Sequence, residues 1–361
     1  MAVSKRLESF VAAGDATNVL VLRLEDIRWL TGFTGSTAFM LVNREKSSVH
    51  LFVDSRYSER AHHEVERAGS SAHIVETISG KSLAETLSEF VTGDLAIDFH
   101  HVTAARHREL ADSFHVIEEA GIFNQLRRVK DMSEIAAMER AAGIADKALS
   151  FVLSDGIGGE SEKQVRNRLD AAMRDFGADA VSFDTIVATG PNGARPHHEP
   201  SDSVIEMGHA VVIDMGAEVD GYRSDMTRTI QVGQWNSDML EMYRVVREAQ
   251  AAGVAAVRHG VAGSDVDGAV REIFRREGVE HEYLHGTGHG VGLYIHEEPI
   301  LSPRCTAVLS EGEVVTVEPG LYRKGVGGVR IEDQVVVTGT GCRILTLSPK
   351  ELSCPRSQRT I

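Results

Sequence analysis

Two pairs of carboxylates stand out because each lies in or beside a run of apolar, β-branched residues. Asp214 ends the run AVVID and Glu318 ends the run VVTVE, and glycine follows each within two residues. A second acid comes shortly after each of these, Asp225 in the first case and Glu332 in the second. Buried carboxylates that lack a partner are too costly to keep ionised. Four such acids on strands built for burial therefore need an explanation.

Two explanations are open for these four acids. Each could pair with a nearby arginine, such as Arg223, Arg228 or Arg330, but such pairs would explain one or two acids rather than a symmetric set of four. Two divalent cations would bring four positive charges to four carboxylates. We therefore favour the hypothesis of a carboxylate-rich centre that holds two metal ions.

A glycine-rich stretch, HGTGHGVG, contains His285 and His289 and precedes the second pair of acids. Glycines at this density let backbone approach a ligand closely and aim the imidazole nitrogens between them. A lone histidine in such a loop is more often structural than ligating. Beside four acids, however, His289 is a plausible fifth metal ligand.

Three further histidines lie in proline-containing loops upstream of the acids. His197 and His296 occupy equivalent places in HHEP and HEEP, and His198 is adjacent to the first. They are either exposed loop histidines or a pair that flanks the metals, where imidazole could bind a carbonyl or move a proton near neutral pH. We rank His198 below the symmetric pair.

An internal repeat accounts for the placement of these residues. Residues 205–216 align with 309–320, and HHEP aligns with HEEP upstream in the same order. Two helices precede each set of strands: capping boxes predict starts at Asp131 and Ser161, and the second pair is expected over 238–259 and 265–277. Within each half, the two acids should lie on adjacent strands joined by a turn. We therefore predict a duplicated domain with pseudo-two-fold symmetry.

The first third of the chain has a different pattern. Short strand-like runs (TNVLVL, TAFMLV, VHLFVD and LAIDF) and one short helix predict a small α/β domain. The polar stretch LRRVKDM has no apolar period and marks the boundary. We expect domains at 1–128 and 129–361.

The composition excludes several classes of protein. The 361 residues carry a formal net charge of −15, which argues against a nucleic-acid or anionic-membrane binder. No uncharged apolar run approaches the roughly 20 residues that a membrane-spanning helix needs. The N-terminus lacks the apolar segment of a secretion signal. The cysteines form no CxxC pair, which favours a reduced, cytoplasmic protein: Cys305, Cys342 and Cys354.

Taken together, these motifs resemble metallopeptidase family M24, the group of creatinase, aminopeptidase P, prolidase and methionine aminopeptidase. The matching strings are TGPNGARPHHEPSD, VVIDMGAEVDGYRSDMTRTI, HGTGHGVGLYIHEEP, VVTVEPGLY and GVRIEDQVVV. LTGFTGSTAFMLV with VDSRYSERA resembles the N-terminal domain of the Xaa-Pro aminopeptidase and prolidase branch, which methionine aminopeptidases lack. The implied fold class is α/β (α+β): a small creatinase-like α/β domain, then a pita-bread domain with an internal pseudo-two-fold repeat.

The resemblance also implies roles for individual residues. Asp225 and Glu332 would bridge two metal ions, Asp214 would bind one ion, and His289 with Glu318 would bind the other. Arg330 would hold the ligand carboxylates. The remaining positions that fall on the family's active site are His197, His285, His296 and Tyr322. Creatinase-type members lack the full ligand set, which this sequence keeps.

The function implied is that of a dinuclear Xaa-Pro aminopeptidase, which cleaves the bond between an N-terminal residue and proline with a metal-activated water. Glu318 would accept the proton of that water, His197 would polarise the carbonyl, and His296 would steady the tetrahedral intermediate. Oxygen-rich ligation with one histidine favours Mn²⁺, and Co²⁺ or Zn²⁺ could substitute. The expected partners are small peptides with proline second, and a second copy of the chain in a homodimer.

Three alternatives stay open. The protein could be a prolidase, in which Arg304 would bind the free carboxylate of a dipeptide; an arginine there is compatible with both branches, and FTGS leans towards the aminopeptidase. It could be an amidohydrolase on the same fold that acts on a small non-peptide. A catalytically silent binding protein is the third alternative, which the intact ligand set disfavours.

Overall fold

The computed structural model describes residues 3–354. The chain divides into two compact units, one ending at Arg127 and the other beginning at Arg128. Among the helices in the described range, none is both long and apolar enough to cross a membrane.

The first unit is built on a six-stranded sheet in the order β4-β3-β2-β1-β5-β6, in which β2 runs antiparallel to both neighbours. Its strands are β1 (Asn18–Val21), β2 (Phe39–Asn43), β3 (Ser48–Val53), β4 (His73–Glu76), β5 (Leu95–Ile97) and β6 (Val116–Glu118). Its helices are α1 (Val3–Ala12), α2 (Leu24–Thr31), α3 (Ser58–Arg67), α4 (Leu83–Leu87), α5 (Ala104–Ala111) and α6 (Ile122–Arg128), the last of which continues one residue into the second unit, and a 3₁₀ turn spans Phe99–His101.

The second unit runs through two helices and then strands, twice in succession. The first half contains α7 (Met132–Ser154), α8 (Glu162–Asp175), β7 (Ala180–Val181), β8 (Ile186–Thr189), β9 (Ala210–Met215), β10 (Ala217–Val219), β11 (Tyr222–Arg223) and β12 (Met226–Val232). The second half contains α9 (Ser237–Ala256), α10 (Gly263–Arg276), β13 (Gly288–Gly290), β14 (Glu297–Leu301), β15 (Val314–Val317), β16 (Gly320–Arg323), β17 (Gly327–Arg330), β18 (Asp333–Val337), β19 (Cys342–Ile344) and β20 (Leu352–Cys354). Two 3₁₀ turns span Gly190–Ala194 and Glu280–Glu282.

Local capping fixes the helix starts of the second unit. Both predicted capping boxes are present, with Asp131 bonded to the amide of Glu134 and Ser161 to that of Gln164. The third helix begins one residue before the predicted Asp238, because the side chain of Asn236 caps it. It ends at Ala256, three residues before the predicted end at 259.

The strands of the second unit form a four-stranded sheet, β20-β12-β9-β8, and a five-stranded sheet, β14-β13-β15-β18-β19. Within them β9 pairs antiparallel with β12, and β15 with β18. The prediction that a turn joins these paired strands is wrong. Strands β10 and β11 intervene in the first half, and the hairpin β16–β17 intervenes in the second. Asp225 and Glu332 follow these insertions and lie outside the strands.

Apolar faces of the helices bury these sheets. Helices α7 and α8 pack on the first sheet through small and branched residues, including Ala145, Leu149 and Leu169, all of which are buried. In the second half, buried residues of α9 and α10, among them Val246 and Phe274, pack on the β16–β17 hairpin. At about 25 cal/mol per Å² of apolar area, this burial is the main stabilisation of the unit that carries the acids.

Candidate metal centre

All four acids meet at one cavity of about 520 Å³ in the second unit. The same cavity is lined by four of the histidines that the sequence singled out and by one arginine. Its polar lining residues include Asp214, Asp225, Glu318 and Glu332, which we call the acidic cluster, together with His197, His285, His289, His296 and Arg330.

The four acids reach the cavity from two kinds of backbone position. Asp214 lies within β9, and Glu318 directly follows β15. Asp225 and Glu332 were expected on strands but lie in two-residue breaks, before β12 and β18 respectively. Glu332 lies outside the strand pairing because its amide donates instead to the carbonyl of Thr227 in the other half (3.1 Å). The break therefore joins the two halves at the acidic cluster.

His289 presents an unprotonated nitrogen to the acidic cluster. Its Nδ1 lies 3.0 Å from the carbonyl oxygen of Gly290, and a carbonyl can only accept, so Nδ1 carries the proton. Its Nε2 lies 3.6 Å from both Asp225 Oδ2 and Glu318 Oε1. Burial lowers the pKa of His289 to about 4, so the ring is neutral at neutral pH. Nε2 is consequently a free lone pair facing two carboxylates, as a metal ligand requires.

Without cations, burial and the charges of neighbouring acids disfavour the ionised forms of Asp225, Glu318 and Glu332. Burial raises the pKa of Asp225 well above its usual value, and the charges of Glu332, Asp214 and Glu318 raise it further. The pKa of Glu332 is raised well above its usual value in the same way, by burial and then by Glu318 and Asp214. Burial brings the pKa of Glu318 to about 8, with Arg330 opposing and Asp214 adding to the shift.

Arg330 organises one side of the acidic cluster. It donates to Asp214 Oδ2 (2.7 Å), to Thr227 Oγ1 (3.0 Å) and to Tyr322 OH (3.0 Å). Thr227 in turn donates to Glu332 Oε2 (2.7 Å), so the guanidinium orients two acids, one of them through a hydroxyl. The arginine-pairing explanation therefore accounts for Asp214 alone. The other two arginines bind elsewhere, Arg223 to Glu218 and Arg228 to Asp333.

The donor set fits divalent cations. Asp225, His289 and Glu332 each offer a ligand atom, and these atoms lie within 4.8 Å of one another. Oδ1 of Asp214 is buried and has no hydrogen-bond partner among the described residues, so it keeps an open acceptor position. Buried acceptors are normally satisfied, and a metal ion would satisfy this one.

The remaining histidines divide into three kinds. His197 and His296 are exposed and line the cavity, and the ring of His296 lies 4.4 Å from that of His289 between centroids. His285 is neutral, because burial lowers its pKa to about 4, and its Nε2 lies 2.8 Å from Tyr322 OH. His198, ranked lower from the sequence, is buried and bonds Glu162.

Two predicted substrate-site residues lie away from the lining. Tyr322 is buried behind His285, and burial raises its pKa to about 12, so it is a neutral donor that orients the histidine. Arg304 is exposed and is not among the described residues that line the cavity. Its role in binding a dipeptide carboxylate stays a prediction.

Sequence reasoning missed two residues that support this site. Thr227 lies two positions after Asp225, so strand alternation on β12 could have suggested a shared face. Glu162 reads as an ordinary acid in the first turn of a helix, and nothing in its spacing links it to a loop far along the chain. Apolar lining residues were missed as well: Phe183, Ile186, Ile295 and Ile300.

Comparison with known proteins agrees with this geometry. Residues 136–339 match metallopeptidase family M24, and residues 4–129 match the creatinase/prolidase N-terminal domain. Among curated proteins, the peptidase YqhT of Bacillus subtilis is 39% identical over 337 residues, which cover 92% of this chain and 94% of that protein.

Two solved structures resemble the whole chain. One is the Xaa-Pro dipeptidase from Bacillus anthracis, 36% identical with a TM-score of 0.91, and the other the X-Pro aminopeptidase from Thermotoga maritima, 32% identical with a TM-score of 0.87. Each alignment covers 97% of this chain and 99% of the solved one. The predicted fold class, a creatinase-like α/β domain followed by a pita-bread domain, is confirmed. The chain belongs to metallopeptidase family M24.

Proposed function

We propose that the protein is a metal-dependent Xaa-Pro aminopeptidase, which hydrolyses the bond between an N-terminal residue and a following proline. The observation that carries this proposal is the acidic cluster, with the free Nε2 of His289, lining an open cavity flanked by His197 and His296. Four acids at one cavity, two of them buried and two half-buried, form the oxygen-rich donor set that a hydrolytic metal centre needs.

In this proposal two divalent cations would be held by five residues of the cavity: Asp214, Asp225, Glu318, Glu332 and His289. When bound, such cations supply Lewis-acid charge that lowers the pKa of water and polarises a carbonyl. Arg330 and Thr227 hold the acids in place through the hydrogen bonds described above. Orienting contacts of this kind commonly change metal affinity or activity by about 10- to 100-fold when removed.

The side chains around the acidic cluster would carry the proton transfers and substrate contacts. In its ionised form, Glu318 would accept the proton of the attacking water, because its carboxylate lines the cavity beside His289. His197 donates to the scissile carbonyl, and His296 stabilises the negative charge that develops on the tetrahedral carbon's oxygen. The two histidine contacts would strengthen as the carbonyl oxygen gains charge, so they would lower the free energy of the transition state more than that of the bound substrate.

Proline as second residue fits the cavity on chemical grounds. An Xaa-Pro bond has no N–H and a fixed φ, so a site that required that donor could not bind it. The apolar residues Phe183, Ile295 and Ile300 offer the proline ring a surface without demanding hydrogen bonds. The free ammonium group of the substrate would meet the negative charge of the acidic cluster, which favours cleavage after the first residue.

Prolidase activity is the alternative on the same site, because the similar solved structures carry both names, dipeptidase and aminopeptidase. Hydrolysis of Ala-Pro, Ala-Pro-Ala and Ala-Ala under metal titration separates the two. We expect Ala-Pro-Ala to be cleaved at least as well as Ala-Pro, and Ala-Ala to be a poor substrate. Cleavage of none of the three with metal bound would favour the small-molecule amidohydrolase instead.

The variant Arg304→Ala sharpens this test. If Arg304 binds the carboxylate of a dipeptide, the variant should raise KM for Ala-Pro about 10- to 100-fold, since a charge-assisted hydrogen bond is worth about 1.5–3 kcal/mol. The aminopeptidase proposal predicts no such selective change. Arg258→Ala, at another exposed arginine, is the matched control. Strong preference for Ala-Pro that Arg304→Ala abolishes would make the protein a prolidase.

A further inference from the structure

We propose that Glu162 is a positioning residue, whose buried carboxylate fixes the loop of residues 190–203 so that His197 faces the cavity. The inference rests on the proposed function for the role of His197, but the loop contacts themselves do not. Glu162 is the first residue of α8 and lies outside the lining of the cavity.

One carboxylate collects hydrogen bonds from both ends of this loop. Oε1 accepts from the amide of Thr189 (2.8 Å) and from Asn192 Nδ2 (2.8 Å), where the loop begins. Oε2 accepts from His198 Nε2 (2.8 Å) and from both the amide (2.8 Å) and the hydroxyl (2.7 Å) of Ser201, near its end. Both ends of the loop are therefore hydrogen-bonded to the same anion, the carboxylate of Glu162.

Burial of the carboxylate makes movement of the loop energetically costly. Glu162 is 0% exposed, and burial alone would raise its pKa, but hydrogen bonds from His198, Thr189, Ser201 and Asn192 outweigh burial and lower it. The acid is ionised at neutral pH, and its five contacts all come from the loop or from the strand end before it. If the loop moved away, a buried carboxylate would lose its partners, which is strongly unfavourable.

A second anchor holds the loop from the cavity side. Arg330, which bonds Asp214, also donates to the carbonyl of Pro196 (3.3 Å). His197 thus lies between Pro196, tied to Arg330, and His198, tied to Glu162. Pro196 and His197 lie in a turn that leads directly to His198. With His198 buried against Glu162 and Pro196 held by Arg330, the turn leaves His197 exposed in the cavity lining.

The start of α8 does not need Glu162. Ser161 and Gln164 already form its capping box, which satisfies the first amides of the helix. The neighbouring acid Glu160 is also buried, but its side chain bonds Arg168 (2.6 Å). Glu160 is therefore a matched control: a buried acid of the same segment whose side chain holds a helix arginine.

The first test measures the loop itself and does not depend on catalysis. Hydrogen–deuterium exchange, followed by mass spectrometry, is measured on peptides that contain Thr189 and Ser201. We expect Glu162→Gln to speed exchange there at least about 10-fold, because an amide nitrogen would face the donors of Ser201. Glu160→Gln should leave this loop unchanged. Unchanged exchange in Glu162→Gln would overturn the inference, whatever the activity.

The second test asks whether Glu162 acts through His197. With Ala-Pro-Ala as substrate, Glu162→Gln should lower kcat by about 100-fold, which is the cost of a misplaced group, with metal content unchanged. In a His197→Ala background the same change should cost less than about 2-fold, since the group it positions is gone. Additive losses would overturn the assignment to His197. If wild-type protein with bound metal cleaves no proline peptide, the proposed function fails, and the exchange experiment still decides the loop contact.

A milder variant keeps both tests decisive if Glu162→Gln does not fold. Ser201→Ala removes one hydroxyl donor and leaves the carboxylate and the backbone amide in place. We expect faster exchange at the loop and a smaller loss of kcat than in Glu162→Gln, in the same direction. If Glu162→Gln does not fold and Ser201→Ala changes neither quantity, the inference is wrong.

Discussion

Replacing Asp225 should change the stability of the fold and the affinity for metal in opposite directions. In the metal-free protein its ionised form is disfavoured by burial and by the other acids, so its pKa is raised. A carboxylate with a raised pKa destabilises the folded state as pH rises above its unfolded value of about 4. Asp225→Asn should therefore raise the melting temperature of metal-free protein at pH 7, while lowering metal affinity and activity at least about 100-fold.

The measurement is thermal unfolding of chelator-treated protein between pH 5 and pH 8, with metal content and peptide hydrolysis beside it. Wild-type stability should fall over this range, since the pKa of Glu318 also lies at about 8. Asp238→Asn, at an exposed acid, is the control and should change none of these quantities. Retention of two tightly bound metals and normal turnover in Asp225→Asn would contradict the ligand assignment.

Individual residues differ in how well the sequence predicted them. The acids were found because carboxylates at the ends of β-branched runs conflict with burial, and that conflict is visible in the letters. Glu162 was missed because its partners lie in a loop far along the chain, so only tertiary contact reveals them. Tyr322 came from family resemblance, and its position behind His285 could not be read from spacing.

The strands β12 and β18 are joined at the element scale by a buried ion pair. Arg228 and Asp333 are fully buried, 2.8 Å apart, and Lys350 adds a second cation to Asp333 at 2.7 Å. Removing one partner of a buried pair commonly costs about 3–5 kcal/mol, because the other charge stays buried. Arg228→Met should lower the free energy of unfolding by up to about this amount, because Lys350 still pairs with Asp333, and urea denaturation measures the loss.

Arg244→Met is the matched control for Arg228→Met, because Arg244 makes its ion pairs at the surface. Exposed pairs contribute about 0–1 kcal/mol, so this variant should change the urea midpoint little. The charges of Arg228 and Lys350 outweigh burial and lower the pKa of Asp333. The stabilisation should therefore be present above pH 4 and be lost as pH falls through the lowered pKa. Equal effects of the two variants would show that the buried pair contributes nothing special.

The sequence predicts the helices and strands correctly where local signals are strong. Capping boxes located α7 and α8, and apolar runs located β9 and β15. Helix α3 (SERAHHEVER) is not predicted because its buried face, with Ala61, Glu64 and Val65, contains only two apolar residues, too few for a recognisable apolar pattern. The hairpins before Asp225 and Glu332 were missed because their strands are two to four residues long, too short for a periodic signal.

At the scale of the whole molecule, family resemblance predicts a homodimer. Light scattering at micromolar concentration should give about twice the chain mass of 39.3 kDa. The net charge of −15 opposes association at low ionic strength, so a dimer should be at least as stable in 0.15 M salt as in dilute buffer. A mass of one chain under both conditions would contradict this prediction.

The most direct test of the account is metal dependence of proline-peptide hydrolysis. Protein treated with a chelator and then dialysed is assayed on Ala-Pro and Ala-Pro-Ala, before and after titration with Mn²⁺. We predict no hydrolysis before titration, and hydrolysis that rises to a plateau at two equivalents of Mn²⁺ per chain. Hydrolysis that is unaffected by chelation, or no hydrolysis of either peptide with metal bound, would contradict the account.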